Sequence, residues 1–323
     1  MARNRYGQAT KTLSTMKCYS CNEELLSGNL SEEHIFPNAI GGKIVSKKIL
    51  CGNCNIKFGI YDKEIDKIFG AFVVHYGIKR DRDGYHPPVY GVDEATNKSV
   101  MLHSNRPRTF TDPVTEFRGN TFTISAYNAK RANLELEKIK KEMEKKGLRV
   151  DTSEMKIEND TTEDKHVTYV DLIPDYYILL RGIVRIFLNL YIDRFGQNSI
   201  FKKAIEFVND TQVKIPNRFC TYYFTDLRNG IHTGKVLHSI VFKNEKNFIK
   251  GYMELFGAVG FIALLSNEYK GKDFNLGFSY EIDTFEESEL FYSFDERIDQ
   301  IIEEIRRNEE ADTSGLMNTI VVT

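Results

Sequence analysis

Four of the five cysteines fall in two C-x-x-C pairs, Cys18/Cys21 and Cys51/Cys54, with 29 residues between the pairs. Each pair puts two thiolates on one tight turn, and the two turns together can share a tetrahedral Zn²⁺. A module too small for a large apolar core gains a staple from such an ion. Between the pairs runs Ser-Glu-Glu-His-Ile-Phe-Pro-Asn-Ala-Ile-Gly-Gly, residues 31–42, and the second pair sits in Leu-Cys-Gly-Asn-Cys-Asn, residues 50–55. On an extended strand the adjacent Glu33 and His34 point to opposite faces, so one can bind a metal while the other stays available as a base. Asn55 directly follows the last cysteine, where the knuckle fixes the start of a helix and aims the amide back towards the strand. An imidazole with its pKa near neutrality suits proton abstraction from water. A carboxylate with an amide oxygen suits a hard ion such as Mg²⁺ or Mn²⁺. Zinc enclosed by four thiolates is closed to substrate, so this chemistry needs a second, oxygen-ligated ion. Taken alone, the cysteines fit a purely structural zinc equally well.

Those residues need a strand, a returning strand and a helix to hold them. A short extended piece runs through His34 to Phe36, Pro37 breaks it, Gly41-Gly42 makes a turn, and Lys43 to Leu50 return. Asn55 to Phe72 reads as a helix, with Ile56, Ile60, Ile65, Phe69 and Phe72 at helical spacings. Residues 1–16 form an arm without apolar periodicity and residues 17–78 the zinc-stapled module. Residues 79–310 form a larger mixed α+β region and 311–323 a tail. In the larger region a hairpin is expected at Val89–Val92 and Val100–His103 through Asn97, with a strand at Thr121–Ser125 and a helix over Asn128–Lys146. Another strand is expected at His166–Leu172, a helix after Pro174-Asp175, and a further helix over Ile200–Val208. Apolar runs at Leu237–Phe242, Tyr252–Phe256, Gly260–Leu265 and Phe278–Ile282 read as strands, and Phe294–Arg307 as a last helix. The whole is an α+β chain, a small ββα-metal module followed by a larger mixed domain.

The set C-x-x-C, Glu-His-Ile-x-Pro, Gly-Gly and C-x-x-C-Asn resembles the zinc-containing members of the HNH, or ββα-metal, endonuclease family, over residues 18–70. The resemblance implies that His34 is the general base for water, and that Glu33 and Asn55 hold a catalytic Mg²⁺ or Mn²⁺. Ser46 falls on the middle motif position, where many members carry asparagine, and its shorter side chain supports the loop opposite His34. Phe58 stands where members often carry lysine, with Lys57 beside it. Asp62, seven residues after Asn55 on the same helical face, is an added ligand or a ligand's partner, and otherwise a solvated carboxylate. Hydrolysis in this family leaves 5′-phosphate and 3′-hydroxyl ends. Lys43, Lys47, Lys48 and Lys57, with Arg3, Arg5, Lys11 and Lys17, are the candidate phosphate contacts. The expected partner is nucleic acid, double-stranded DNA ahead of RNA, together with a second copy or an activating protein. Restriction or anti-phage defence is the setting by analogy. A zinc-dependent binding module that does not cut and an RNA-directed nuclease are the alternatives.

Bulk composition agrees with a folded chain: 41% hydrophobic, 28% charged, 22 Gly and 7 Pro in 323 residues. The net charge of -2 conceals an asymmetry, with an excess of five positive charges in residues 1–80 and of seven negative charges after them. The first residues lack an apolar run that could serve as an export signal, and a cytoplasmic location is expected. The longest apolar stretch, Tyr176–Phe195, carries Arg181, Arg185, Asn189 and Asp193 at every fourth position, which reads as a polar stripe on a core helix and not a membrane span. Beyond residue 80 no nucleotide, metal or nucleophile motif stands out. His86, His103, His166, His232 and His238, like His75 before them, lack ligand-like spacing, and Cys220 reads as a small core residue. The larger region is expected to recognise DNA, to dimerise or to sense a trigger.

Overall fold

The Gly-Gly pair closes the first hairpin for two different reasons. Gly41 has φ +87°, a left-handed value that L side chains rarely adopt. At Gly42 an added Cβ would lie 1.9 Å from the Phe36 carbonyl oxygen, so only glycine lets the chain fold back on itself there. The turn joins β1 (Glu33–His34) to β2 (Val45–Ser46), which pair antiparallel with Glu33 opposite Ser46 and His34 opposite Val45. The computed structural model describes residues 16–80, 84–126, 128–158, 168–171, 174–196, 199–210, 212, 220–223, 236–245, 247–282, 286–289 and 319–322. The arm through residue 15, His166, His232 and the helix expected at Phe294–Arg307 lie outside the described residues.

Helix α1 spans Gly52–His75, starting three residues before the apolar periodicity suggests, because Cys51 is its N-cap and the second knuckle is its first turn. Helix α2 (Ala129–Lys145) follows Asn128, whose side chain accepts the Arg131 N–H, and Gly147 with φ +72° lies just past its end. Helix α3 (Tyr176–Phe195) is capped in the same way by Asp175, which accepts from the Ile178 N–H. Helix α4 (Lys202–Asn209) is short and comes directly after a 3₁₀ turn at Ser199–Phe201.

Two antiparallel sheets complete the α+β architecture. The five-stranded one runs in the spatial order 319–322, 168–171, 89–93, 99–102, 109–110. The sequence pattern makes 311–323 a tail, but Thr319-Ile320-Val321-Val322 is β-branched throughout and takes an edge position against 168–171. The six-stranded sheet has the order 220–223, 259–266, 248–255, 237–245, 274–281, 287–289. A hairpin of Val114–Arg118 and Thr121–Ser125 stands apart, and its first strand was not legible as one.

One cluster of buried residues runs from Cys18 to Ile282 and takes in both the cysteine-rich segment and the larger region. α1 meets the six-stranded sheet through Phe69, whose ring lies 6.2 Å from Phe261 and 5.9 Å from Phe256. α3 meets it through Phe187 against Phe242, 6.0 Å between centroids. The two helices approach closely at Gly182, where a Cβ would come within 2.9 Å of the Ile65 side chain and 3.2 Å of the Tyr61 Cβ. Gly182→Val should therefore overpack this crossing and lower stability by about 1–3 kcal/mol, read as a drop in the urea midpoint.

His238 seats the hairpin turn on the sheet. Its Nε2–H donates to the Ile40 carbonyl at 3.0 Å, its Nδ1 accepts the Phe256 N–H at 3.3 Å, and its ring stacks on Phe36 at 5.0 Å. Burial holds this neutral imidazole down to about 4, against an ordinary value of 6.5. Above pH 6.5 both folded and unfolded forms are neutral; as the pH falls towards 4 only the unfolded chain takes up the proton, so stability is lost through that window. The His238 share of the loss between pH 7.5 and pH 5 is about 2 kcal/mol. His238→Phe should start less stable at pH 7.5 but show a smaller fall in urea midpoint over the same range; an equal fall would remove His238 as the cause.

Candidate active site

The first knuckle is a tight reversal in which the Cys18 N–H donates to the Glu23 carbonyl and the Asn22 N–H to the Cys18 carbonyl, both at 2.8 Å, with Asn22 at φ 62°. The second is built from the start of α1, with Cys51 bridged to Leu30 and the Gly52 N–H on the Asn29 carbonyl. Together they bring the Sγ atoms of Cys18, Cys21, Cys51 and Cys54 within 4.8 Å of one another. The Cys21–Cys51 separation is 3.8 Å, and Zn–S bonds of about 2.3 Å place tetrahedral sulfurs about 3.8 Å apart, so the four fit a zinc ion. Burial pushes the Cys54 thiol up, and the neighbouring sulfurs add to that. A divalent cation is what allows four thiolates to share the space.

The short strand β1 divides its two chemical residues as its pleat requires. Glu33 is buried, while His34 on the other face is half-buried with its Nε2 shielded from solvent. Ser46, opposite Glu33, is buried on the inner side as well, and its Oγ accepts the Lys48 N–H. The strand register therefore places Val45, not Ser46, across from His34. Asn55 sits in the first turn of α1, where its Nδ2 donates to Ser31 Oγ at 2.6 Å and to the Glu32 carbonyl at 3.3 Å. That orientation leaves its Oδ1 as the acceptor.

The inner face is met by α3. Glu33 Oε1 accepts from Asn189 Nδ2 at 2.8 Å and lies 3.4 Å from Arg185 Nη1. The Nη2 of the same guanidinium pairs with Asp62. Burial raises the Glu33 carboxyl above its usual range despite the pull of Arg185. Burial also works against the charge on Arg185, but the Glu33 and Asp62 carboxylates outweigh it and hold the guanidinium protonated. Of the three oxygen donors named from the sequence, the Glu33 and Asp62 carboxylates converge on Arg185, and the Asn55 amide nitrogen is turned to Ser31 and Glu32. Among the described residues, the cysteines are the one group of three or more His, Cys, Asp or Glu side chains close enough to share an ion.

The nominated lysines divide in the same way. Lys43 and Lys48 are exposed, Lys47 pairs with Glu32 at 2.9 Å on the surface, and Lys57 Nζ donates to the Asn209 carbonyl at the end of α4. Arg185 and Asn189 carry no motif that ties them to this site in the sequence. The signal for them was the polar stripe at every fourth residue of Tyr176–Phe195. Three of its members, Arg181, Arg185 and Asn189, are buried inside the protein.

Residues 18–69 match the HNH endonuclease family. No curated protein and no solved structure matches the chain. The HNH match supports a nuclease-type function in general and implies contact with nucleic acid; it ends well before α3. Among the described residues no helix is long and apolar enough to cross a membrane. Zinc at the cysteines predicts that the purified protein carries tightly held zinc by elemental analysis, and that Cys51→Ser loses both this zinc and resistance of residues 18–69 to proteolysis. Metal-free protein with unchanged proteolysis would remove the staple.

Proposed function

We propose that the protein is a metal-dependent HNH endonuclease that hydrolyses phosphodiester bonds in double-stranded DNA, with His34 as the general base. The observation that supports this reading is that the strand carrying His34 is held beside the four-sulfur cluster, with Asn55 of the second knuckle bonded to Ser31 and the Glu32 carbonyl just before that strand. A phosphodiester is an anion that repels hydroxide, so water must lose its proton at the moment of attack, which a neutral imidazole can accept. The divalent cation used by this family, Mg²⁺ or Mn²⁺, would be held by Asn55 Oδ1 with water and substrate phosphate, and would stabilise the charge that develops there. Asn55 keeps its amide oriented through Ser31 and the Glu32 carbonyl. Lys43, Lys47 and Lys48, on the exposed returning limb of the hairpin, steer the backbone without reading sequence. Residues 79–310 then carry recognition or assembly, with a second copy or an activating protein as partner. Cleavage of foreign DNA in a cytoplasm, as in restriction or anti-phage defence, is the setting that the resemblance favours.

One observation favours the reading without cleavage: Glu33 and Asp62 are both engaged by Arg185. Supercoiled plasmid with Mg²⁺ or Mn²⁺ separates the two. Wild type should nick or linearise it, and His34→Ala should slow cleavage by about 10²-fold or more, in the range of general-base contributions. Wild type and variant leaving plasmid equally intact under both ions would end the enzyme reading. Preferential cutting of labelled single-stranded RNA in the same assay would transfer the activity to RNA.

A further inference from the structure

We propose that α3 supplies two positioning residues to this site, Asn189 and Arg185, and that Glu33 is the carboxylate they grip and not a ligand of the catalytic cation. The proposal rests on the nuclease reading, because it assigns roles around His34.

Asn189 is fully buried and makes one amide serve three parts of the site. Its Oδ1 accepts from Tyr19 Oη at 2.9 Å; its Nδ2 donates to Glu33 Oε1 at 2.8 Å and to the His34 carbonyl at 3.3 Å. Tyr19 lies between the zinc cysteines Cys18 and Cys21, so the knuckle, α3 and the strand of the general base meet at a single side chain. Tyr19 is fully buried with its hydroxyl donating to Asn189 Oδ1, which fixes which end of the amide faces β1. The hydrogen bond to the His34 carbonyl acts on the backbone of the base itself, which sets the direction of its side chain from a helix far away in sequence.

Arg185, one helical turn before Asn189, lies 3.4 Å from the same oxygen, Glu33 Oε1, and reaches Asp62 on α1. Glu33 and Arg185 are both almost wholly buried. A divalent ion placed on Glu33 would lie beside a permanent guanidinium where water screens the repulsion poorly. The positive charge that Glu33 requires is already supplied by the protein.

The test exchanges donor and acceptor across the Asn189–Glu33 bond. Asn189→Asp sets two carboxylates against each other and removes the donor to the His34 carbonyl, and adding Glu33→Gln restores a donor facing an acceptor across the 189–33 bond alone, with the original net charge. In the plasmid assay Asn189→Asp should lower kcat about tenfold to a hundredfold, the scale of a small misplacement of a catalytic group, with KM for DNA within about twofold. The double variant should regain about threefold or more of that loss but not all of it, because the bond to the His34 carbonyl stays absent. Mn²⁺ binding followed by electron paramagnetic resonance should be unchanged within about twofold by Glu33→Gln and weakened at least about tenfold by Asn55→Ala, as expected when only the second is a ligand. A double variant no better than Asn189→Asp, or a tenfold loss of Mn²⁺ affinity in Glu33→Gln, overturns the proposal. If wild type cuts nothing, the nuclease reading fails by itself. Amide hydrogen exchange at residues 33–36 then decides: faster exchange in Asn189→Asp, reversed in the double variant, supports the grip, and unchanged exchange overturns it.

Discussion

A guanidinium buried between two carboxylates holds this structure together at its functional end. Arg185 lies between Glu33 on the hairpin and Asp62 on α1, and it reaches them from the middle of α3. An isolated charge in that position would be expelled or neutralised, since removing an ion from water carries a penalty of several kcal/mol. The arrangement is stable only while hairpin and both helices keep their mutual positions. Loss of Arg185 would leave the buried Glu33 carboxylate without its cation, a change that typically costs about 3–5 kcal/mol. The ion pair thus acts as a geometric condition on the module more than as a source of net stability.

The end of α4 shows the same dependence between the two parts of the chain. Its last carbonyls lack helical partners. Arg181 Nε takes the Phe207 carbonyl at 2.9 Å, Lys57 the Asn209 carbonyl at 2.9 Å, and Tyr61 donates to the Val208 carbonyl. Two of these three donors come from α1. Ser20, in the first knuckle, also donates to Asn209 Oδ1 at 2.6 Å and receives the Asn209 amide on its carbonyl. The segment that the family match marks out is therefore completed by contacts from residues 181–209 that lie outside it.

What was legible in the sequence follows from the range of the interactions involved. Cysteine pairs, the Gly-Gly turn, the Asn128 and Asp175 caps and the alternating strands of the large sheet depend on neighbours within a few residues, and each shows as a local pattern. The partners of Glu33 do not, because Asn189 is 156 residues away and periodicity reveals that a helix has a polar stripe without revealing what the stripe faces. The same limit applies to Ser46, where spacing identified a motif position but only the strand register shows that it shares a face with Glu33 and not with His34. It applies to Lys57 too: a lysine beside a motif invites a role in phosphate binding until the end of another helix is found beneath it.

These long-range pairings also change how the positive N-terminal segment should be understood. The five-charge excess in residues 1–80 is a net figure. Arg80 pairs with Asp66, Lys47 with Glu32 and Lys67 with Glu64, all within the segment, so these pairs are already cancelled in it, and Lys57 keeps its charge on the neutral Asn209 carbonyl. What the pairing changes is short-range: Lys47 and Lys57 meet a phosphate only by leaving a present partner, while Lys43 and Lys48 lie exposed on the returning limb of the hairpin. Salt screens the net excess beyond a Debye length, so capture of a backbone phosphate rests on short-range contacts at that rim or on surfaces from the larger part of the chain.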